Sequence, residues 1–207
     1  MELNGDGFID ILSGSYSRQD KDMAGLFQVL WGAKDGSFRT AEALKGSDGK
    51  ELIITITGGN DNVVQKICTR PTAVDLDGDG MLDIVSGNFS GTFAATSTWL
   101  QDGRKNLQVP SHSDPFFIDW DKDGDFDLLS GSAQGGVFLF VNQGTKKAPK
   151  FGPSITLVAV NKDQGDGDRI GDAHIKGPQS STRVWADDIH GDGKLDLLVG
   201  DSVQLIF

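Results

Sequence analysis
Four segments of this chain align without a gap, and a chain that repeats itself in this way folds as copies of one unit packed on their neighbours. They are Glu2-Leu-Asn-Gly-Asp-Gly-Phe-Ile-Asp10, Asp75-Leu-Asp-Gly-Asp-Gly-Met-Leu-Asp83, Asp119-Trp-Asp-Lys-Asp-Gly-Asp-Phe-Asp127 and Asp188-Ile-His-Gly-Asp-Gly-Lys-Leu-Asp196. Each runs into the same tail: Asp10-Ile-Leu-Ser-Gly14, Asp83-Ile-Val-Ser-Gly87, Asp127-Leu-Leu-Ser-Gly131 and Asp196-Leu-Leu-Val-Gly200. The closing aspartates lie 73, 44 and 69 residues apart, which fits a unit near 44 residues with inserts in the first and third copies. The expected units are roughly 1–69, 70–110, 111–177 and 178–207, forming a single domain with inserts near 46–69 and 161–177.

The flanks of the repeats read as strands. Arg70-Pro-Thr-Ala-Val74, Asp114-Pro-Phe-Phe-Ile118 and Thr182-Arg-Val-Trp-Ala186 precede the second, third and fourth loops, each opening near a proline or a polar break. The apolar tail after each loop is a short buried strand. A further strand follows it: Leu26 to Trp31, Ser97 to Leu100, Val137 to Val141 and Val203 to Phe207. Weaker fourth strands are Phe38 to Leu44 and Ile155 to Val160, and Asn142 to Thr145 reads as a hairpin turn. No long segment carries a period of 3.6 residues, so the chain is all-β.

Composition says where the acids sit. Only three of the 30 acidic residues are Glu, and the rest are Asp, which favours turns and caps over helix interiors. In the nine-residue loop, carboxylates at positions 1, 3, 5 and 9 would repel one another if they converged without a cation. Gly at position 6 (Gly7, Gly80, Gly124 and Gly193) permits a left-handed turn around a central point. With the position 7 carbonyl this makes five or more oxygens, a ligand set for Ca²⁺ rather than for Mg²⁺, which keeps several waters. The competing reading is an Asp-Gly turn whose side chains only cap backbone amides. An EF-hand is excluded, because position 12 is Ser13, Ser86, Ser130 or Val199 instead of Glu, and the flanks are strands instead of helices.

These residues resemble the FG-GAP or VCBS repeats of calcium-loop β-propellers, seen also in the integrin α-subunit head, over all four units. The resemblance implies a β-propeller of four-stranded antiparallel blades, about three and a half to four in this chain, with each loop joining the first two strands of a blade. It also implies the side-chain ligands Asn4, Asp6 and Asp10; Asp75, Asp77, Asp79 and Asp83; Asp119, Asp121, Asp123 and Asp127; and Asp188, Asp192 and Asp196. Carbonyl ligands are expected from Phe8, Met81, Asp125 and Lys194. Glu2 stands where Asp is expected, and His190 stands at position 3, where an imidazole nitrogen suits Zn²⁺ or Ni²⁺ better than Ca²⁺. Two complete Ca²⁺ sites are therefore expected and at most four, with the fourth loop the weakest.

The remaining sequence narrows the function classes. A net charge of −11 argues against a nucleic-acid partner, and no apolar run is long enough to insert into a membrane. The single cysteine, Cys68, reads as a small buried side chain. There is no nucleophile elbow, phosphate loop or His-Glu-x-x-His motif. Gly165-Asp-Gly167, with Asp163, Asp166, Asp168 and Asp172, is either another Ca²⁺ loop or a solvated insert. His112 and His174 read as loop residues, and Trp31, Trp99, Trp120 and Trp185 as packing residues, with a sugar-lining role for one of them as the alternative. Asn88-Phe-Ser90 matches a glycosylation acceptor.

Modest Ca²⁺ sites fill outside the cytosol, so a secreted, periplasmic or cell-surface protein is expected, with its leader outside this chain. The expected role is a calcium-stapled extracellular binding or scaffold module for a protein or glycan. The alternatives are a propeller hosting a polysaccharide lyase or hydrolase, or a structural subunit of a larger assembly. A catalytic face calls for a cluster of His, Arg, Lys or Tyr, and the only tyrosine is Tyr16. The chain opens inside a loop and holds about 14 expected strands, so further blades are expected from the same polypeptide or a partner, covering faces such as Val203, Leu205 and Phe207.

Overall fold
The structure is a computed structural model that describes residues 1–15, 25–54, 67–95, 98–102, 105–160, 178 and 180–201. Among these there is no helix; every strand pairing is antiparallel. The first sheet is β1 (Ile11–Ser13), β2 (Gln28–Leu30) and β3 (Glu42–Ala43). The second is β4 (Arg70–Val74), β5 (Asp83–Gly87), β6 (Phe93–Ala95) and β7 (Thr98–Trp99), beside a small hairpin of β8 (Gln101–Asp102) and β9 (Lys105–Asn106). The third is β10 (Asp114–Ile118), β11 (Asp127–Gly131), β12 (Val137–Phe140) and β13 (Ile155–Val158), and the fourth is β14 (Arg183–Asp187) with β15 (Asp196–Gly200). In the second and third sheets the strands lie in chain order, as expected of hairpin-linked neighbours.

Most of the expected strands are present with near-identical bounds, and one was misplaced. The third strand of the second sheet is Phe93–Ala95, while Thr98–Trp99 is its fourth. Phe93-Ala-Ala is short and mostly small, and its one large apolar residue, Phe93, is fully buried and anchors it. The turn after β12 also lies further on, where Thr145 and Ala148 exchange backbone hydrogen bonds of 3.2 and 2.9 Å. Pro71 and Pro115 are tolerated because β4 and β10 are edge strands, where a missing N–H breaks no ladder.

The apolar tails are explained by burial on both faces. In β11, Leu128 packs with Val74, Val85 and Phe93 of the second sheet, while Leu129, the next residue, packs with Val184 and Ala186 of the fourth. In β5, Val85 faces the third sheet and Ile84 packs against the Phe27, Val29 and Leu44 cluster of the first. Side chains alternate across a strand, so a strand between two sheets needs apolar residues on both faces, and the adjacent leucines of the Asp-Leu-Leu-Ser tail supply one to each.

Successive sheets are also joined by a clasp that recurs three times. Ser15 N–H donates to Thr69 Oγ1 (2.6 Å), Asn88 N–H to Ser113 Oγ (3.0 Å) and Ser132 N–H to Thr182 Oγ1 (2.7 Å). The hydroxyl residue returns its own N–H to the carbonyl of Ser15, Asn88 or Ser132, at 3.0, 3.1 and 2.9 Å. The approach is so close that a Cβ on Gly14, Gly87 or Gly131 would lie 2.1–2.2 Å from the carbonyl oxygen of Thr69, Ser113 or Thr182. That is why the first three tails end in glycine, whereas a Cβ on Gly200, which ends the fourth, would meet nothing closer than 3.7 Å. Asn88, the start of the sequon, is fully buried here and hydrogen-bonded to Thr92, so it is no glycan acceptor in the folded chain.

Candidate metal centre
The second, third and fourth aspartate-rich loops enter their sheets at the closing aspartate and the first one residue later, at Ile11, and all four loops share one internal pattern. The position 7 N–H donates to the position 5 carboxylate: Phe8 to Asp6, Met81 to Asp79, Asp125 to Asp123 and Lys194 to Asp192, at 2.7–3.1 Å. The position 6 glycine N–H donates to the position 1 carboxylate, with Gly80 on Asp75, Gly124 on Asp119 and Gly193 on Asp188. In the first loop Glu2 takes that place with its longer side chain, accepting from Gly7 and also from Asn4 and Gly5. Gly7, Gly80, Gly124 and Gly193 all have φ between 81° and 96°, the left-handed region that glycine enters without strain.

The structure adds a second left-handed residue at position 4, which sequence reasoning missed. It is Gly5, Gly78 and Gly191 in three loops and Lys122 (φ 65°) in the third. The glycines in three of four copies were a legible signal. Lys122 Nζ donates to the carbonyl of Gly193, which ties the third loop to the fourth.

The loops differ in how far they gather their oxygens. Asp75, Asp77 and Asp79 each place a carboxylate oxygen within 4.8 Å of the others, and so do Asp119, Asp121 and Asp127. Asp83 and Asp123 fall outside these two groups, and the first and fourth loops form none among the described residues. In the fourth, His190 Nδ1 lies 2.8 Å from Asp196 Oδ2, so imidazole and carboxylate engage each other.

The closing aspartates do more than the ligand role the resemblance implies. One oxygen of each accepts the position 2 N–H: Leu3 to Asp10, Leu76 to Asp83, Trp120 to Asp127 and Ile189 to Asp196, at 2.8–3.1 Å. The other oxygen of Asp10 takes the Gly32 N–H (2.9 Å), and that of Asp127 takes the Asn142 N–H (2.7 Å). Asp10 and Asp127 are nearly fully buried and pin loop, first hairpin and next turn together.

Electrostatics separates the loops in the same way. Burial pushes the Asp83 carboxyl up, and the charges of Asp77, Asp79 and Asp75 add to it. Burial also raises Asp127, against the amides of Asn142 and Trp120, and it raises Asp125, with Asp123 and Asp127 adding repulsion. Glu2 is held low by the Gly7 amide, and Asp196 by His190. Two oxygens at these loops, Asp75 Oδ1 and Asp125 Oδ1, are buried without any hydrogen-bond partner. A buried carboxylate oxygen with nothing to accept from calls for a cation. The donor set, oxygen only and anionic, fits a hard divalent ion. The bland amide-capping reading describes the shared hydrogen bonds but leaves those two oxygens unexplained.

Residues 3–86 match the FG-GAP-like repeat. The match spans the first two loops, both with the internal pattern that recurs at Asp119–Asp127 and Asp188–Asp196. No curated protein and no solved structure matches the chain. No described helix is long and apolar enough to cross a membrane. The cluster at Asp163, Asp166, Asp168 and Asp172, together with His174, Tyr16, Val203, Leu205 and Phe207, lies outside the described residues.

Proposed function
We propose that this chain is a calcium-stapled β-propeller unit that serves outside the cytosol as a binding or scaffold module for a protein or glycan. The observation that carries the reading is the pair of carboxylate clusters, Asp75–Asp77–Asp79 and Asp119–Asp121–Asp127, with a partnerless buried oxygen on Asp75 in the first of them. Asp83 with the Met81 carbonyl would complete the second loop, and Asp123 with the Asp125 carbonyl the third. The bound ion supplies charge neutralisation, joining the start of each inner hairpin to its loop. The first and fourth loops, with Glu2 and His190, are the weaker candidates. Face-to-face sheets joined by a repeated clasp support the blade arrangement and the single domain. The outer face of the fourth sheet presents Trp185 and Leu198, cross-strand partners that are 44% and 49% exposed, which favours further blades or a partner chain over it.

The test is a thermal melt of the full chain in Ca²⁺ and in excess EDTA. At free Ca²⁺ a hundredfold above the dissociation constant, each filled site adds about 2.7 kcal/mol. Two sites then raise the melting temperature by roughly 10–20 °C for a chain of this size. Asp79→Ala should remove about half of that shift. A melt unchanged by EDTA would refute the calcium reading.

A further inference from the structure
The first residues of β4, β10 and β14 occupy one register position, each paired with the glycine that ends the next strand: Arg70 with Gly87, Asp114 with Gly131 and Arg183 with Gly200. Because β10 packs against both β4 and β14, this position brings two arginines to one aspartate. Arg183 Nη1 lies 3.2 Å from Asp114 Oδ2. Burial raises the Asp114 carboxyl to about 6 and lowers the His112 imidazole, and the charge of Arg70 opposes the first shift and adds to the second. Beside them opens a cavity of about 440 Å³, lined by Leu12, Ser13, Thr69, Arg70, Pro71 and Arg183 among others. It brings together residues of three sheets.

The cluster is incompletely satisfied. Arg70 Nη1 is buried and has no hydrogen-bond partner, and the same is true of His112 Nε2. Arg183 keeps half of its side chain exposed. With Asp114 ionised, the two guanidinium groups and one carboxylate leave a single positive charge. A planar carboxylate answers both needs, since it accepts from a guanidinium fork and carries one negative charge. The volume matches a small-molecule site holding a ligand of about monosaccharide size. We propose that this cavity is a binding site for a small monocarboxylate, held between Arg70 and Arg183 with Asp114 as the built-in counter-charge. None of these residues belongs to an aspartate-rich loop, so the site stands or falls apart from the calcium reading.

The experiment is a calorimetric titration of the full Ca²⁺-loaded chain with glucuronate, with glucose as the neutral analogue and inorganic phosphate as the more highly charged one. Glucuronate should bind at least tenfold more tightly than either. Arg183→Gln, at a half-exposed position, should weaken glucuronate at least tenfold in a chain that still unfolds in one cooperative transition, although loss of the Asp114 ion pair lowers its melting temperature, and Arg70→Gln should weaken it further. Asp114→Asn should tighten it severalfold by removing the counter-charge. Equal binding of glucose and glucuronate, no binding of glucuronate at tens of millimolar, or an Arg183→Gln variant that binds as the parent does, would overturn the proposal. EDTA that lowers stability without abolishing glucuronate binding below the melt is the expected sign that the two sites are separate.

Discussion
Replacing Gly131 with alanine tests the clasp between sheets directly. The added Cβ would lie 2.1 Å from the Thr182 carbonyl oxygen and 2.9 Å from its Oγ1, against a non-bonded optimum of about 3.5 Å. The fourth sheet must therefore back away by about 1 Å. That separation strains the Ser132 N–H bond to Thr182 Oγ1 and the Thr182 N–H bond to the Ser132 carbonyl, both buried. Two such bonds contribute about 1 kcal/mol each, and overpacking costs a further 1–3 kcal/mol or so. Alanine returns about 0.4–1 kcal/mol by restricting the unfolded chain. The net expectation is a loss of about 2–4 kcal/mol. Gly200 is the control at the same repeat position, because its Cβ would meet nothing closer than Arg183 Cβ at 3.7 Å. Gly200→Ala should be neutral or stabilise by up to about 1 kcal/mol. Urea unfolding followed by tryptophan fluorescence measures both in one buffer. If the two variants fall within 1 kcal/mol of each other, the clasp is not what requires the glycine.

Asp114 gives a pH signature. Burial pushes its carboxyl up to about 6, and the charge of Arg70 opposes that rise. A carboxyl raised on folding destabilises the folded state above the folded pKa, and the penalty fades as pH falls from about 6 toward the unfolded value near 4. Asp114→Asn should thus gain on the parent protein by about 1–3 kcal/mol between pH 4 and pH 8 in urea unfolding, and a constant difference would contradict the shift. Phe93→Ala, at a fully buried ring 5.8 Å from Phe140 and edge-on to it, should cost about 3–5 kcal/mol in the same assay. His190→Asp should tighten Ca²⁺ at the fourth loop severalfold, seen as an extra binding event in calorimetry, and an unchanged isotherm would deny that loop a site.

The sequence by itself determined the repeat, the strand type and the loops. Gapless copies fix the unit, Asp-Gly runs force left-handed turns at Gly80 and Gly124, and a run such as Asp-Leu-Leu-Ser-Gly131 can be buried on both faces only as a strand between sheets. These are local rules, so they are legible in one dimension. What the sequence left open depends on which residues of different units meet. Phe93-Ala-Ala carries little β propensity, and only burial against Val85 and Phe140 makes it a strand. The closing aspartates looked like ligands alone, because nothing local shows that Gly32 and Asn142 present amides to Asp10 and Asp127 across 22 and 15 residues. His112 does lie in a loop, as its sequence context suggested, but only packing shows that its ring sits 4.3 Å from Phe89 and feels the charge of Arg70. Arg70, Asp114 and Arg183 are 44 and 69 residues apart, and each alone is an unremarked strand residue. Side-by-side packing at one shared register makes them a charged cluster, because repetition turns equal positions in sequence into neighbours in space.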